Sequence, residues 1–189
     1  MVKNLQLLNN GVLMRITRFW QVFIIGFFML ASLGHSYAAG PLFDMQGKPS
    51  SIDKFTGKGK WLVVMFWASD CHVCNREAHQ YVDFHFAHSD TDASVLGISL
   101  DGLANKVNAQ EFIDKHKVNF PNLIGEPEQV AQLFSQLTGV AWRGTPTFLI
   151  YSPQGELLVQ QIGAVPTDLI ENFMASHQAN SNGNKTTKN

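Results

Sequence analysis

The chain has little cysteine, no cluster of basic residues and no apolar run long enough for a membrane-spanning helix. Two cysteines among 189 residues exclude a scaffold built on several disulfides. The 14 basic and 15 acidic residues give a net charge of −1. Without a basic patch, the electrostatic basis of nucleic-acid binding is missing, and we expect no nucleic-acid partner. The length suits one domain with extensions.

The N-terminal region lacks acidic residues altogether. Before Asp44 the only charged residues are basic: Lys3, Arg15 and Arg18. An apolar stretch follows these and leads into small residues, which is the order of a secretory signal peptide. We therefore predict a signal peptide over residues 1–38, cleaved after Ala38.

Two alternatives concern the same region. The signal could remain uncleaved as a membrane anchor, although the apolar run at residues 22–33 spans only 12 residues and a bilayer needs about 17 to 25. Translation could also begin at Met14, because a compact basic segment follows it.

The C-terminal end lacks apolar residues. Residues 178–189 are almost wholly Asn, Ser, Gly, Lys and Thr, a composition too polar to offset the entropy of ordering. We predict a disordered polar tail there and one compact domain over residues 39–177.

Within that domain, strand-like and helix-like patterns alternate. Short apolar runs predict strands at residues 61–66, 95–100, 120–124, 147–151 and 157–162. Apolar residues spaced by three and four predict helices near residues 71–88, 109–116, 130–137 and 169–174. The turn-forming residues 152–155 join the last two strands as a hairpin. This order predicts an α/β fold, with a mixed central sheet flanked by helices.

The two cysteines lie where a buried strand ends and a helix begins. Cys71 would stand at the helix N-terminus, where free amides and the helix dipole stabilise a thiolate, and Cys74 would lie one turn later. This context favours a redox-active pair. The alternative, a purely structural disulfide, would close so small a loop that it would stabilise the fold little.

Metal binding is a second interpretation, because several histidines lie on or near the same helix. A structural zinc site needs four ligands, and a second cysteine pair is missing. Thiolates with an imidazole could bind Cu(I), so a copper-handling protein stays open, but we expect no metal and no cofactor. We expect His79 and His88 on a solvated face and His85 at the core edge. An imidazolium at His72 would favour the Cys71 thiolate and a more oxidising disulfide.

Two segments resemble signatures of the thioredoxin superfamily. Residues 66–74 read FWASDCHVC and residues 144–150 read GTPTFLI; the second resembles the cis-proline loop. The CNRE sequence at residues 74–77, the inserted helix and the export signal resemble the TlpA/ResA-like extracytoplasmic branch, which includes cytochrome c maturation thioredoxins. The resemblance implies a thioredoxin fold with an N-terminal extension and a central helix insertion.

The resemblance also implies roles for particular residues. Cys71 would attack a substrate disulfide and Cys74 would resolve the mixed disulfide. Thr145 and cis-Pro146 would hold the substrate chain through backbone hydrogen bonds. Trp67 would pack under the active-site turn. Trp67 and His72 would both belong to the substrate-binding side of the site.

A proton acceptor for the resolving cysteine has to be found outside strand 61–66. Cytoplasmic thioredoxins keep a buried acid where this chain has Met65. Glu77 is the candidate, because it follows Cys74 by three residues on the same helix. Asp70 stands where the family usually has Trp, and an acid there would oppose thiolate formation at Cys71.

The predicted function is therefore that of a periplasmic or otherwise extracytoplasmic thiol-disulfide oxidoreductase. We expect a monomer that reduces protein substrates in cytochrome c maturation or related disulfide handling and receives electrons from a membrane thiol-disulfide donor. A thiol peroxidase of the same fold is a further alternative. Such enzymes usually place Thr or Ser and Arg around one peroxidatic cysteine, and no such cluster precedes Cys71.

Overall fold

The computed structural model describes the backbone of residues 42–186 and the side chains of residues 42–180. The predicted signal peptide, its cleavage after Ala38 and the alternative start at Met14 lie outside the described residues. Between residues 42 and 186, no helix combines the length and apolarity needed to cross a membrane. The backbone of the last helix continues as far as Thr186, into the segment predicted as a polar tail.

One seven-stranded sheet forms the centre of the described region, in the order β2-β1-β5-β4-β3-β6-β7. Its strands are β1 (Leu42–Asp44), β2 (Pro49–Ser50), β3 (Trp61–Trp67), β4 (Ala93–Ser99), β5 (Asn122–Ile124), β6 (Thr147–Tyr151) and β7 (Leu157–Ile162). Strand β3 is parallel to β4 and antiparallel to β6, and β6 and β7 form the predicted hairpin. The sheet is therefore mixed, as the sequence predicts.

Within residues 42–186, four α-helices flank the sheet: α1 (His72–His88), α2 (Lys106–His116), α3 (Pro127–Thr138) and α4 (Thr167–Thr186). Helix α2 and strand β5 lie between β4 and α3 in the chain, so they form the central insertion expected from the resemblance. The predicted fold class is confirmed.

Strand β3 is buried on both faces, which explains its continuous apolar sequence. Alternate side chains point to opposite faces. Trp61, Val63, Met65 and Trp67 belong to a core cluster with residues of α1, α2 and α4. Leu62, Val64 and Phe66 belong to a second cluster on the other face, with residues of α3.

The strand register brings three loops to one end of the sheet. In the parallel pair, Trp67 of β3 lies opposite Ser99 of β4. In the antiparallel pair, Phe66 lies opposite Thr147, the first residue of β6. The loops that follow β3 and β4 and the loop that precedes β6 therefore meet, and each of them carries a residue of the site described below.

Candidate active site

Cys71 and Cys74 are joined by a disulfide at the start of α1, with their Cα atoms 5.2 Å apart. Cys71 is the N-cap residue, and its Sγ accepts the backbone N–H of Cys74 at 3.1 Å. Unpaired amides at a helix N-terminus favour negative charge. Cys71 is half-buried, whereas Cys74 is fully buried. The two sulfurs therefore differ in access and in their relation to the helix dipole.

The second predicted signature forms the loop before β6. The Thr145–Pro146 peptide bond is cis. The loop is held from both sides, since Thr147 Oγ1 donates to the Gly144 carbonyl at 2.6 Å and the Pro146 carbonyl accepts the Gly163 N–H at 2.9 Å. Pro146 is buried and Thr145 half-buried. The register of β6 against β3 places this loop at the same end of the sheet as Cys71.

Trp67 lies in the core as the last residue of β3, before the loop that leads to Cys71. Its side chain is 1% exposed, because the last residue of β3 points into the core between α1 and α2. The indole stacks on Phe112 with ring centroids 4.2 Å apart, and its Nε1 donates to Asn122 Oδ1 at 3.1 Å. The side chain leaves almost no surface for contact with a substrate, and it packs in the core at the end of β3 that leads into the active-site turn.

That hydrogen bond depends on a glycine in the neighbouring strand. A Cβ atom at Gly97 would lie 1.8 Å from Asn122 Oδ1 and 2.8 Å from Trp67 Nε1. Only the absence of a side chain lets the indole and the amide approach each other here.

Asp101, after β4, holds the loop that leads to Cys71. The Ser69 backbone N–H lies 3.2 Å from both Asp101 carboxylate oxygens, and Ser69 Oγ donates to Oδ1 at 2.5 Å. Ser99 Oγ donates to Oδ2 at 2.6 Å. Sequence reasoning missed this cluster. The available signal was an acid directly after a buried strand, at the edge where parallel strands end.

Asn75, in the first turn of α1, is a second residue of the site that sequence reasoning missed. Its Nδ2 donates to the carbonyls of Ser69 at 2.8 Å and Cys71 at 3.1 Å. Its Oδ1 accepts from Lys115 Nζ at 3.0 Å and lies 2.9 Å from His116 Nε2. Sequence offered no signal for these contacts, because Lys115 lies 40 residues further along the chain.

Glu77 lies beside the buried stripe of α1. Its Oε1 accepts from Arg76 Nε at 2.8 Å and its Oε2 from Gln80 Nε2 at 2.7 Å, and its side chain is 23% exposed. Gln80 Oε1 in turn accepts the Thr167 N–H at the start of α4, at 3.1 Å. Glu77 is therefore partly buried, as predicted. Its carboxylate is linked to α4 through Gln80, whereas the sulfur of Cys74 is buried in the core.

Two further ionisable side chains next to the cysteines are exposed. His72, between the cysteines, and Asp70, before Cys71, both face solvent. Met65 is fully buried in β3, so this position of the core holds no proton acceptor.

The other α1 histidines have different surroundings. His79 is exposed. Burial lowers the pKa of His85, whose Nδ1 accepts the Val95 N–H at 3.0 Å. His88 does not lie on a purely solvated face, because its ring contacts Asp92, in the loop before β4, and Glu171 of α4. Among residues 42–186, no group of three or more His, Cys, Asp and Glu side chains is placed to hold a metal ion.

A family model for the AhpC/TSA family matches residues 35–160. The chain belongs to this family. The thiol-disulfide oxidoreductase ResA of Halalkalibacterium halodurans is 23% identical over 145 residues, 77% of this chain and 77% of that protein. The peroxiredoxin Bcp of Bacillus subtilis is 27% identical over 96 residues, 50% of this chain and 59% of that protein. The predicted resemblance to the thioredoxin superfamily and its ResA-like branch is confirmed.

Among solved structures, a secreted Mycobacterium tuberculosis disulfide oxidoreductase homologous to Escherichia coli DsbE superimposes with a TM-score of 0.58. The match covers 76% of this chain and 99% of that one at 20% identity. At this identity the likeness concerns the fold alone.

Proposed function

We propose that this protein is a thiol-disulfide oxidoreductase that exchanges a Cys71–Cys74 dithiol or disulfide with protein substrates. The observation that carries the proposal is the pairing of a half-buried, helix-capping Cys71 with a fully buried Cys74. A helix N-terminus stabilises the thiolate, which is the attacking form. Burial of the second sulfur keeps it away from substrates but within reach of the first.

In the reductive direction, the Cys71 thiolate attacks one sulfur of a substrate disulfide. A mixed disulfide forms, and the first substrate thiolate leaves. Cys74, once deprotonated, attacks Cys71 Sγ; the Cys71–Cys74 disulfide forms and the second substrate thiolate leaves. Two electrons have then passed from the dithiol to the substrate, and a donor must reduce the pair before the next cycle.

Glu77 is the proposed acceptor of the Cys74 proton. It is three residues from Cys74 on one helix, and half-burial leaves its carboxylate accessible to a bridging water. The bonds to Arg76 and Gln80 hold the carboxylate in one place.

The substrate chain would lie across the loop that contains Thr145 and cis-Pro146. This loop meets the Cys71 loop because of the β3–β6 register, and backbone groups of Thr145 would bind the extended substrate. His72 is exposed beside Cys71, so it would contact the substrate directly.

We place the protein outside the cytoplasm, as a monomer reduced by a membrane thiol-disulfide donor. The basic and apolar N-terminal segment supports export, and both the ResA relative and the secreted mycobacterial protein are oxidoreductases by name. Reduction of substrates in cytochrome c maturation or related disulfide handling is the pathway we propose. Export is tested by the intact mass of protein from the extracytoplasmic fraction. The mass should correspond to a chain that begins at Ala39, and recovery of residues 1–38 in a membrane pellet would favour an anchor.

The similarity to the peroxiredoxin Bcp supports a second candidate, a thiol peroxidase. A direct comparison of two assays separates the candidates. With dithiothreitol as reductant, we expect the wild-type protein to accelerate the reduction of insulin disulfides and the Cys71→Ser variant to lose this activity. Consumption of hydrogen peroxide faster than insulin reduction, with dependence on Cys71, would support the peroxidase instead.

A further inference from the structure

Asn75 connects the inserted helix α2 to the active-site loop. We propose that Asn75 is a positioning residue that fixes the backbone of Cys71 and holds the charge of Lys115 beside the N-terminus of α1. It would thereby stabilise the Cys71 thiolate and make the disulfide more oxidising. The inference rests on the proposed thiol-disulfide exchange. It adds a role for Lys115 and His116, which belong to the inserted helix α2.

The Asn75 amide uses its whole hydrogen-bonding capacity in this arrangement. Its NH₂ group lies 2.8 Å from the Ser69 carbonyl and 3.1 Å from the Cys71 carbonyl. Its oxygen lies 3.0 Å from Lys115 Nζ and 2.9 Å from His116 Nε2. The partners fix which amide atom is which, because carbonyls can only accept and an ammonium can only donate.

The contact with the Cys71 carbonyl is the link to the sulfur. That carbonyl accepts two hydrogen bonds, from the Asn75 backbone N–H at 3.0 Å and from its side chain at 3.1 Å. On the other side of the same residue, Sγ accepts the Cys74 N–H at 3.1 Å. Once the disulfide is reduced, only the backbone of Cys71 keeps its sulfur against this amide. A fixed carbonyl therefore preserves the amide contact that favours the thiolate.

The second effect is electrostatic. Burial lowers the pKa of His116, and the charges of Lys115 and His79 lower it further. The neutral ring is thus favoured at His116, and the ammonium of Lys115 is the cation beside this turn. The first turn of α1 contains no acidic residue. A cation held against this turn adds to the dipole in favouring a thiolate. Because Lys115 is exposed, salt should weaken its contribution.

Opposing charges lie in the same place. Asp70 and Glu111 are exposed and line a shallow pocket of about 300 Å³ together with Asn75 and Lys115. Both carboxylates disfavour a thiolate nearby. Without Asn75, Lys115 would be free to turn towards these acids, so loss of the amide should remove both its hydrogen bond and the ordered cation.

The test is the equilibrium of the Cys71–Cys74 pair with glutathione, measured on the mature protein. For Asn75→Ala, we expect the constant for oxidation by glutathione disulfide to rise about threefold to tenfold, the effect of one such hydrogen bond. The pH profile of Cys71 alkylation should move to higher pH. Lys115→Met should give part of the shift, and added salt should reduce the difference from wild type. Lys117→Met, which removes the same charge from an exposed position two residues later, is the matched control and should give no shift.

A purely structural role would lower the melting temperature of the oxidised and reduced forms alike and leave the glutathione constant unchanged. A folded Asn75→Ala variant with the wild-type constant would therefore overturn the inference. If that variant does not fold, Lys115→Met decides, and a shift no larger than that of Lys117→Met would overturn it. Failure of the wild-type pair to exchange with glutathione would instead contradict the proposed function itself.

Discussion

The backbone N–H of Cys74 donates to the sulfur of Cys71 at 3.1 Å across the first turn of α1. The two cysteines of the pair are thus unequal. One sulfur caps the helix and is half-buried, and the other is enclosed by the core. The Cys74 N–H donates to Cys71 Sγ in the disulfide form. After reduction it would stay in place and stabilise a thiolate on Cys71.

This inequality predicts the order of alkylation. In the reduced protein, a limiting dose of iodoacetamide should label Cys71 at least about tenfold faster than Cys74, because the Cys71 thiolate is both favoured and accessible. Peptide mass mapping after brief exposure measures the ratio. Preferential labelling of Cys74 would reverse the assignment of attacking and resolving thiols.

Replacement of Glu77 tests the proton acceptor. Glu77→Gln keeps the size of the side chain but removes the base, so the variant should fold and form the mixed disulfide at near the wild-type rate. Resolution by Cys74 should be slower by about a hundredfold, the lower end of the range for loss of a general base. Stopped-flow kinetics with a model disulfide separates the two steps.

Asp83→Asn is the matched control, since Asp83 is exposed on the same helix. It should leave both steps unchanged. Resolution by Glu77→Gln at the wild-type rate across about pH 5 to 9 would mean that Glu77 only links α1 to α4 through Gln80.

Asp101 is expected to stabilise the active-site loop. Asp101→Ala removes the acceptor for the N–H and hydroxyl of Ser69 and for the hydroxyl of Ser99, and it leaves these half-buried or buried donors unpaired. The free energy of unfolding of the oxidised protein should fall by about 2 to 3 kcal/mol. Urea denaturation measures the change. Asp70→Ala, at an exposed position of the same loop, should change it by less than about 0.5 kcal/mol.

Sequence reasoning succeeded where one local pattern carries the information. The apolar sequence of residues 61–66 predicted a strand because both its faces are covered, and the turn residues 152–155 predicted the β6–β7 hairpin. Strands β1 and β2 were missed, since three and two residues are too short to show a period. They are ordered by pairing, as β1 joins β5 of the insertion.

The site was predictable to the same extent. The cysteine pair and the proline loop are each contiguous motifs, so they were found. The contacts of Asn75 with Lys115 and of Ser69 with Asp101 join residues 40 and 32 positions apart, and only the packing of α2 and the β3–β4 register brings them together. The surroundings of Glu77 also depend on tertiary structure, because Gln80 is oriented by the N-terminus of α4.

His88 should give the fold a pH-dependent contact between α1 and α4. Burial alone would lower the pKa of His88, but hydrogen bonds to Asp92 at 2.8 Å and Glu171 at 3.4 Å outweigh burial, and the pKa lies above its ordinary value. A raised histidine pKa stabilises the fold below the unfolded value of about 6.5, and the contribution is lost as pH rises through the folded value.

The variant His88→Gln should therefore lose more stability at pH 5.5 than at pH 8.5, by less than about 1 kcal/mol because the pairs are partly exposed. Urea denaturation at the two pH values measures the difference, and His79→Gln, at an exposed position of α1, is the matched control. A larger loss at pH 8.5 would contradict the ion-pair account. The opposite trend is expected for His85. Burial lowers its pKa, so the fold favours the neutral ring and the contribution of His85 to stability increases as pH rises.

Trapping of the mixed disulfide tests the central claim, that Cys71 attacks and Cys74 resolves. Each single-cysteine variant, Cys74→Ser and Cys71→Ser, is incubated under non-reducing conditions with a protein disulfide such as insulin, and the covalent adducts are quantified by mass spectrometry. We predict that Cys74→Ser accumulates an adduct through Cys71, because the step that would release it has been removed, and that Cys71→Ser accumulates almost none, because Cys74 is enclosed by the core. Equal adduct formation by the two variants, or adducts found only through Cys74, would contradict the account.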